Sequence, residues 1–108
     1  MLKSTIKLLL LSILLTSCST WKRDVKEISS KPTIKGVYDC RHKAMEFQEK
    51  YGGKLIIVSV EKLGYDGQHM INYWNGYLID CSFNKIHSAG DDIRETTKKY
   101  WGWYFREP

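Results

Sequence analysis

The stretch Gln68-His-Met-Ile-Asn-Tyr-Trp-Asn-Gly-Tyr-Leu-Ile-Asp-Cys-Ser82 decides the fold. Asn75-Gly76 lies between two runs rich in aliphatic and aromatic residues. A type I′ turn needs positive φ at both central positions, which Asn and Gly tolerate best, so the stretch predicts a β-hairpin. The turn fixes the register: Trp74 faces Tyr77, Tyr73 faces Leu78, Asn72 faces Ile79, Ile71 faces Asp80, Met70 faces Cys81 and His69 faces Ser82. Side chains alternate between the faces of a strand and directly opposed residues share a face. His69, Ile71 and Tyr73 therefore lie with Leu78, Asp80 and Ser82, while Cys81 points the other way. His69 and Asp80 become diagonal neighbours, about 7–8 Å apart at the backbone, a gap that an imidazole and a carboxylate bridge.

An imidazole held by a carboxylate is two thirds of a catalytic triad, and Cys40 is the candidate nucleophile. Asp39 to Tyr51, followed by Gly52-Gly53, predicts a helix with an acidic N-cap and a glycine stop. Ala44, Phe47 and Tyr51 form a stripe with Cys40 at its head. A thiol in the first turn of a helix feels the positive end of the macrodipole, which favours the thiolate. His42 is two positions from Cys40, off its face, and is read as a surface residue; His87 is read as solvated.

Cys40 with Ala44 and Phe47 behind it, a helix ending at glycine, a strand, then His69 on one strand and Asp80 on the next resemble the transglutaminase-like branch of the papain-like cysteine enzymes. The resemblance covers roughly residues 36 to 84. It implies Cys40 as nucleophile, His69 as general base, Asp80 as the group that orients it, and the Cys40 backbone N–H as one oxyanion donor. It also implies an α+β fold with a papain-like/transglutaminase-like core, in which the Cys-bearing helix packs on a small antiparallel sheet. The implied activity is acyl transfer by a cysteine peptidase or amidase, with a peptide or protein of the cell envelope as substrate. Cell-wall endopeptidases, in which Asp-Cys also opens a helix, are a second and more distant likeness.

The start of the chain sets the compartment. Residues 1–17 combine Lys3 and Lys7 with a short apolar run, Leu8 to Leu15, as a secretory signal does. Leu15-Thr-Ser-Cys18 resembles the bacterial lipobox, which implies cleavage before Cys18, lipidation of that residue and a membrane anchor outside the cytoplasm. Ser19 implies the periplasmic face of the outer membrane where the organism has one. Residues 18–35 are polar and charged, with a loop signal at Ser29-Ser-Lys-Pro32, and are read as a tether. Residues 36–108 form the domain.

Of 17 Lys+Arg, two leave with the signal, so the mature chain carries 15 against 12 Asp+Glu, a formal +3. That balance describes a solvated surface, and no nucleic-acid role is assigned. The Cys and His spacing matches no zinc pattern, and no metal or cofactor is assigned.

Lys54 to Glu61 predicts the central buried strand. Asp91-Asp92 opens a short helix through Lys98-Lys99, and Tyr100-Trp-Gly-Trp-Tyr-Phe105 is expected to cover the sheet. Once Cys18 is lipidated, Cys40 and Cys81 remain as an even pair in a disulfide-permissive compartment. The alternative to the enzyme is thus a non-catalytic envelope binding lipoprotein stapled by a Cys40–Cys81 bridge.

Overall fold

The computed structural model describes residues 20–63 and 67–108. The expected signal peptide (residues 1–17), Cys18 and part of the loop before the hairpin lie outside the described residues. The described residues form a small α+β domain of three α-helices on an antiparallel sheet. Helix α1 runs through residues 20–30, α2 is Cys40–Tyr51 and α3 is Ile93–Tyr100. Strands β1 (Lys54–Ser59), β2 (Gln68–Trp74), β3 (Tyr77–Asp80) and β4 (Lys85–Ser88) form a four-stranded meander. A three-residue strand, β5 (Tyr104–Arg106), adds to the free edge of β1.

The hairpin has the expected register. Trp74 pairs with Tyr77, Tyr73 with Leu78 and Asn72 with Ile79. Asn75 and Gly76 have φ of 51° and 77°, the left-handed pair that a type I′ turn requires. The β2–β3 ladder stops there, because residues 81–84 turn the chain back into β4. The expected pairings beyond Asn72–Ile79 are thus replaced by that turn, and β2 continues against β1 instead, with His69 opposite Val58.

Alternation divides the core between the two faces of the sheet. Ile79 and Cys81 pack with Phe47 of α2 and with Trp21, Val25 and Ile28 of α1. Ile56, Val58, Ile71 and Leu78 pack on the other face with Trp101, under α3. The 18–35 tether is corrected by this arrangement. Trp21, Val25 and Ile28 are spaced as one helical stripe, and the charged residues between them fall on the exposed side, so a polar average concealed an amphipathic helix.

Helix α2 begins where the sequence places it. The Asp39 carboxylate accepts from the Arg41 N–H, and His42 Nδ1 receives the Asp39 N–H at 3.3 Å, a reciprocal capping box. His42, partly exposed as expected of a surface residue, is therefore also part of the helix start. The helix is fixed to its neighbours by two buried polar groups. Asn72 on β2 donates to the Ala44 carbonyl at 2.8 Å, and the Lys43 ammonium donates to the Ser29 and Lys31 carbonyls at the end of α1.

If α1 is part of the core, Trp21→Ala removes a large buried side chain, and the expected loss is about 3–5 kcal/mol in urea unfolding. A tether residue would leave the midpoint unchanged.

Candidate active site

The three residues singled out in the sequence meet at one end of the sheet. Cys40 is the first residue of α2, His69 the second of β2 and Asp80 the last of β3. His69 Nε2 lies 2.9 Å from Asp80 Oδ2, and since a carboxylate accepts, the ring nitrogen donates. With Nε2 so engaged, Nδ1 is the ring nitrogen left for Cys40, whose thiol is influenced by His69 and by the Met70 N–H. Cys40 and His69 line one cleft of about 360 Å³, with Thr33, Lys35, Gln68 and Phe83 among its walls. That volume is within the range of small-molecule and side-chain pockets.

The charges in this cluster are coupled. The hydrogen bond from His69 is the largest influence on Cys40 and, with the Met70 N–H, lowers the thiol pKa below its ordinary 9.0 against the opposing effect of burial. For His69, burial disfavours the charged ring. The hydrogen bonds to Asp80 and Cys40 outweigh it and push the pKa from 6.5 up to about 9. These hydrogen bonds favour a proton on His69 and negative charge on Cys40, the pairing in which a cysteine is nucleophilic.

Asp80 has no exposed surface, and both of its oxygens are occupied. Oδ1 accepts the Ser82 and Phe83 N–H groups at 2.9 and 3.3 Å. Oδ2 accepts His69 and also the Trp101 indole N–H at 2.9 Å. Trp101 was expected only to cover the sheet; it does so, and it also fixes the carboxylate that holds the histidine. Its place depends on Gly102, whose φ is 135° and where a Cβ would stand 2.1 Å from Ser59 Oγ. Nothing in the local sequence of the aromatic tail distinguishes Trp101 from Trp103, which is 57% exposed.

Two donors belong to the cleft that Cys40 lines. The Cys40 N–H is at the first helical position of α2 and has no backbone acceptor among the described residues; the Gln68 carboxamide lines the same cleft. Ser82 Oγ is a buried hydroxyl without a partner among the described residues and is also on the cleft wall. Gln68 and Ser82 were not singled out in the sequence, because their role depends on the cleft's shape and no motif spacing marks them.

Cys40 and Cys81 are separate free thiols. Cys81 lies in the core with Trp21, Val25 and Phe47, and burial, followed by the nearby Asp80, pushes its pKa up to about 12. His87, expected in a solvated loop, is on β4 and stacks on Tyr100 with ring centroids 3.5 Å apart.

Comparison with family models, with curated proteins and with solved structures finds no match to this chain. The chemistry assigned to the site rests on its own geometry.

The coupling predicts how alkylation of Cys40 by iodoacetamide depends on pH. In the wild-type protein the midpoint lies below the ordinary thiol range. Replacing His69 by Ala removes the cation, so the midpoint rises and the rate at a fixed pH below it falls about tenfold per unit of rise. An unchanged midpoint would separate His69 from the thiol. Trp101→Phe keeps an aromatic ring in the core and deletes one donor to Asp80. The expected cost is about 1.5–3 kcal/mol in denaturant unfolding, the range for a hydrogen bond to a charged group. A change within a few tenths of a kcal/mol would deny the indole that role.

Proposed function

We propose that the protein is a lipid-anchored cysteine hydrolase of the cell envelope, a peptidase or amidase with a papain-like, transglutaminase-like core that works by acyl transfer. The observation that carries this reading is a cleft lined by Cys40 and His69 with Asp80 buried behind the histidine and bonded to it, the thiol pKa lowered and the imidazole pKa raised. A helix bearing the cysteine at its first position, a strand bearing the histidine and the next strand bearing the aspartate support the papain-like assignment.

The reaction divides into two balanced halves. The Cys40 thiolate adds to the carbonyl carbon of the scissile amide, and the oxyanion that forms accepts from the Cys40 N–H and the Gln68 carboxamide. His69 gives its Nδ1 proton to the leaving nitrogen as the C–N bond breaks, which releases the amine and leaves a thioester. Water then adds to the thioester carbonyl while His69 takes its proton. The C–S bond breaks, the carboxylic acid leaves, and Cys40 and His69 return to their starting state. Asp80 keeps Nε2 protonated throughout, so Nδ1 is the nitrogen that exchanges protons. Trp101 positions Asp80 and touches neither substrate nor sulfur. Lipidation at Cys18 would confine this activity to bonds within reach of the membrane.

The test uses isolated envelope material as substrate and the appearance of primary amines as the readout. The wild-type protein releases amines. Cys40→Ala abolishes the release, and His69→Ala lowers it by about 10²–10⁴, the usual contribution of general acid–base catalysis. Full release by Cys40→Ala would end the assignment.

A further inference from the structure

The described helix α1 connects two opposite ends of the molecule. At its beginning Trp21 packs on Trp74 and Tyr77, with ring centroids 5.3 and 5.1 Å away, and these residues flank the Asn75-Gly76 turn. Asp24 pairs with Lys50 and Tyr51 in the last turn of α2. At the other end of α1, Ser29 Oγ donates to the Ser82 carbonyl, and the Ser29 and Lys31 carbonyls receive Lys43 from the first turn of α2. The hairpin tip, the end of α2 and the start of α1 thus form one pole, and the cleft is at the other.

The separation of the poles follows from element geometry. From His69 to Trp74 β2 advances about 17 Å at 3.3–3.4 Å per residue. From Cys40 to Tyr51 α2 advances about 17 Å at 1.5 Å per residue. Residue 20 is already helical, and Cys18 precedes it by two peptide steps, a span of at most about 7 Å. An acyl anchor on Cys18 therefore has too short a connection for the domain to turn over freely on the membrane. The pole nearest the anchor also suits a lipid headgroup layer: Trp74 and Tyr77 are half-buried there, and Lys22 and Arg23 are exposed on α1.

We propose that the anchored protein stands on the bilayer with its hairpin-tip pole against phospholipid headgroups and its catalytic cleft about 17 Å farther out. This rests on the proposed lipidation of Cys18. It narrows the substrate class to amide bonds in envelope material that stands clear of the membrane surface, and it excludes bonds at the headgroups themselves.

The experiment uses the full lipidated chain, extracted from membranes and reconstituted into phosphatidylethanolamine–phosphatidylglycerol vesicles that contain a headgroup-nitroxide lipid. Two variants in a Cys40→Ser background carry a thiol-reactive fluorophore: Lys54→Cys at the hairpin-tip pole and Lys85→Cys at the cleft pole. Lys54 pairs with Tyr73 and Lys85 with Asp80 in the sheet, and both are exposed. Intact mass is measured on the same samples. The expected result is an acylated chain in which nitroxide quenching at position 54 is several-fold stronger than at position 85. An acylated chain with equal or reversed quenching overturns the orientation and leaves the anchor standing. A chain without acyl mass overturns both.

Discussion

A carboxylate with no exposed surface is costly unless donors surround it, and the site is built on meeting that requirement for Asp80. The donors come from separate parts of the chain. His69 belongs to β2, Ser82 and Phe83 to the turn after β3, and Trp101 to the segment that follows α3. Satisfying one side chain thus brings together a strand, a turn and the C-terminal aromatic tail. The same bonds determine the state of the histidine. With Nε2 committed to the carboxylate, Nδ1 is the nitrogen left for proton exchange, and the ring retains its proton well above the ordinary histidine range.

Strand alternation keeps the two domain cysteines chemically distinct. Asp80 and Cys81 are consecutive, so they point to opposite faces, one toward His69 and Trp101 and the other into the core beside α1 and α2. Cys81 is deprived of water and raised to about 12, while Cys40, at the head of a helix and beside a cation, is lowered. Asn72 holds α2 in register with the sheet at the Ala44 carbonyl, one helical turn from Cys40, and Lys43 ties α2 to the end of α1. A shift of α2 would move the sulfur out of reach of His69, so these two buried polar residues matter to the site although neither faces the cleft.

Local rules made much of this legible in the sequence. Asn75-Gly76 specified a turn type and through it a register, and the register placed His69 and Asp80 on one face. Asp39 and Gly52 marked both ends of α2, and Asp92 caps α3 where the paired acids predicted its start. What remained hidden depended on distant positions or on averaging. Trp101 is 21 residues from Asp80, and no spacing rule connects an indole to a carboxylate across that gap. Helix α1 was hidden because its three buried residues are separated by Lys, Arg, Asp and Glu, which lower mean hydropathy without disturbing the stripe. The capping role of His42 was missed because a histidine seldom stands where Glu or Gln closes a capping box.

Beside His69, the Cys40 thiol has a pKa held below its ordinary 9.0. Thiolate absorbance at 240 nm, taken as the difference between the wild-type protein and Cys40→Ser across pH, measures this directly. The expected difference has its midpoint below 9.0, and the midpoint rises when His69 is replaced by Ala. A difference that develops only near the ordinary thiol pKa of 9.0, with or without His69, would contradict it.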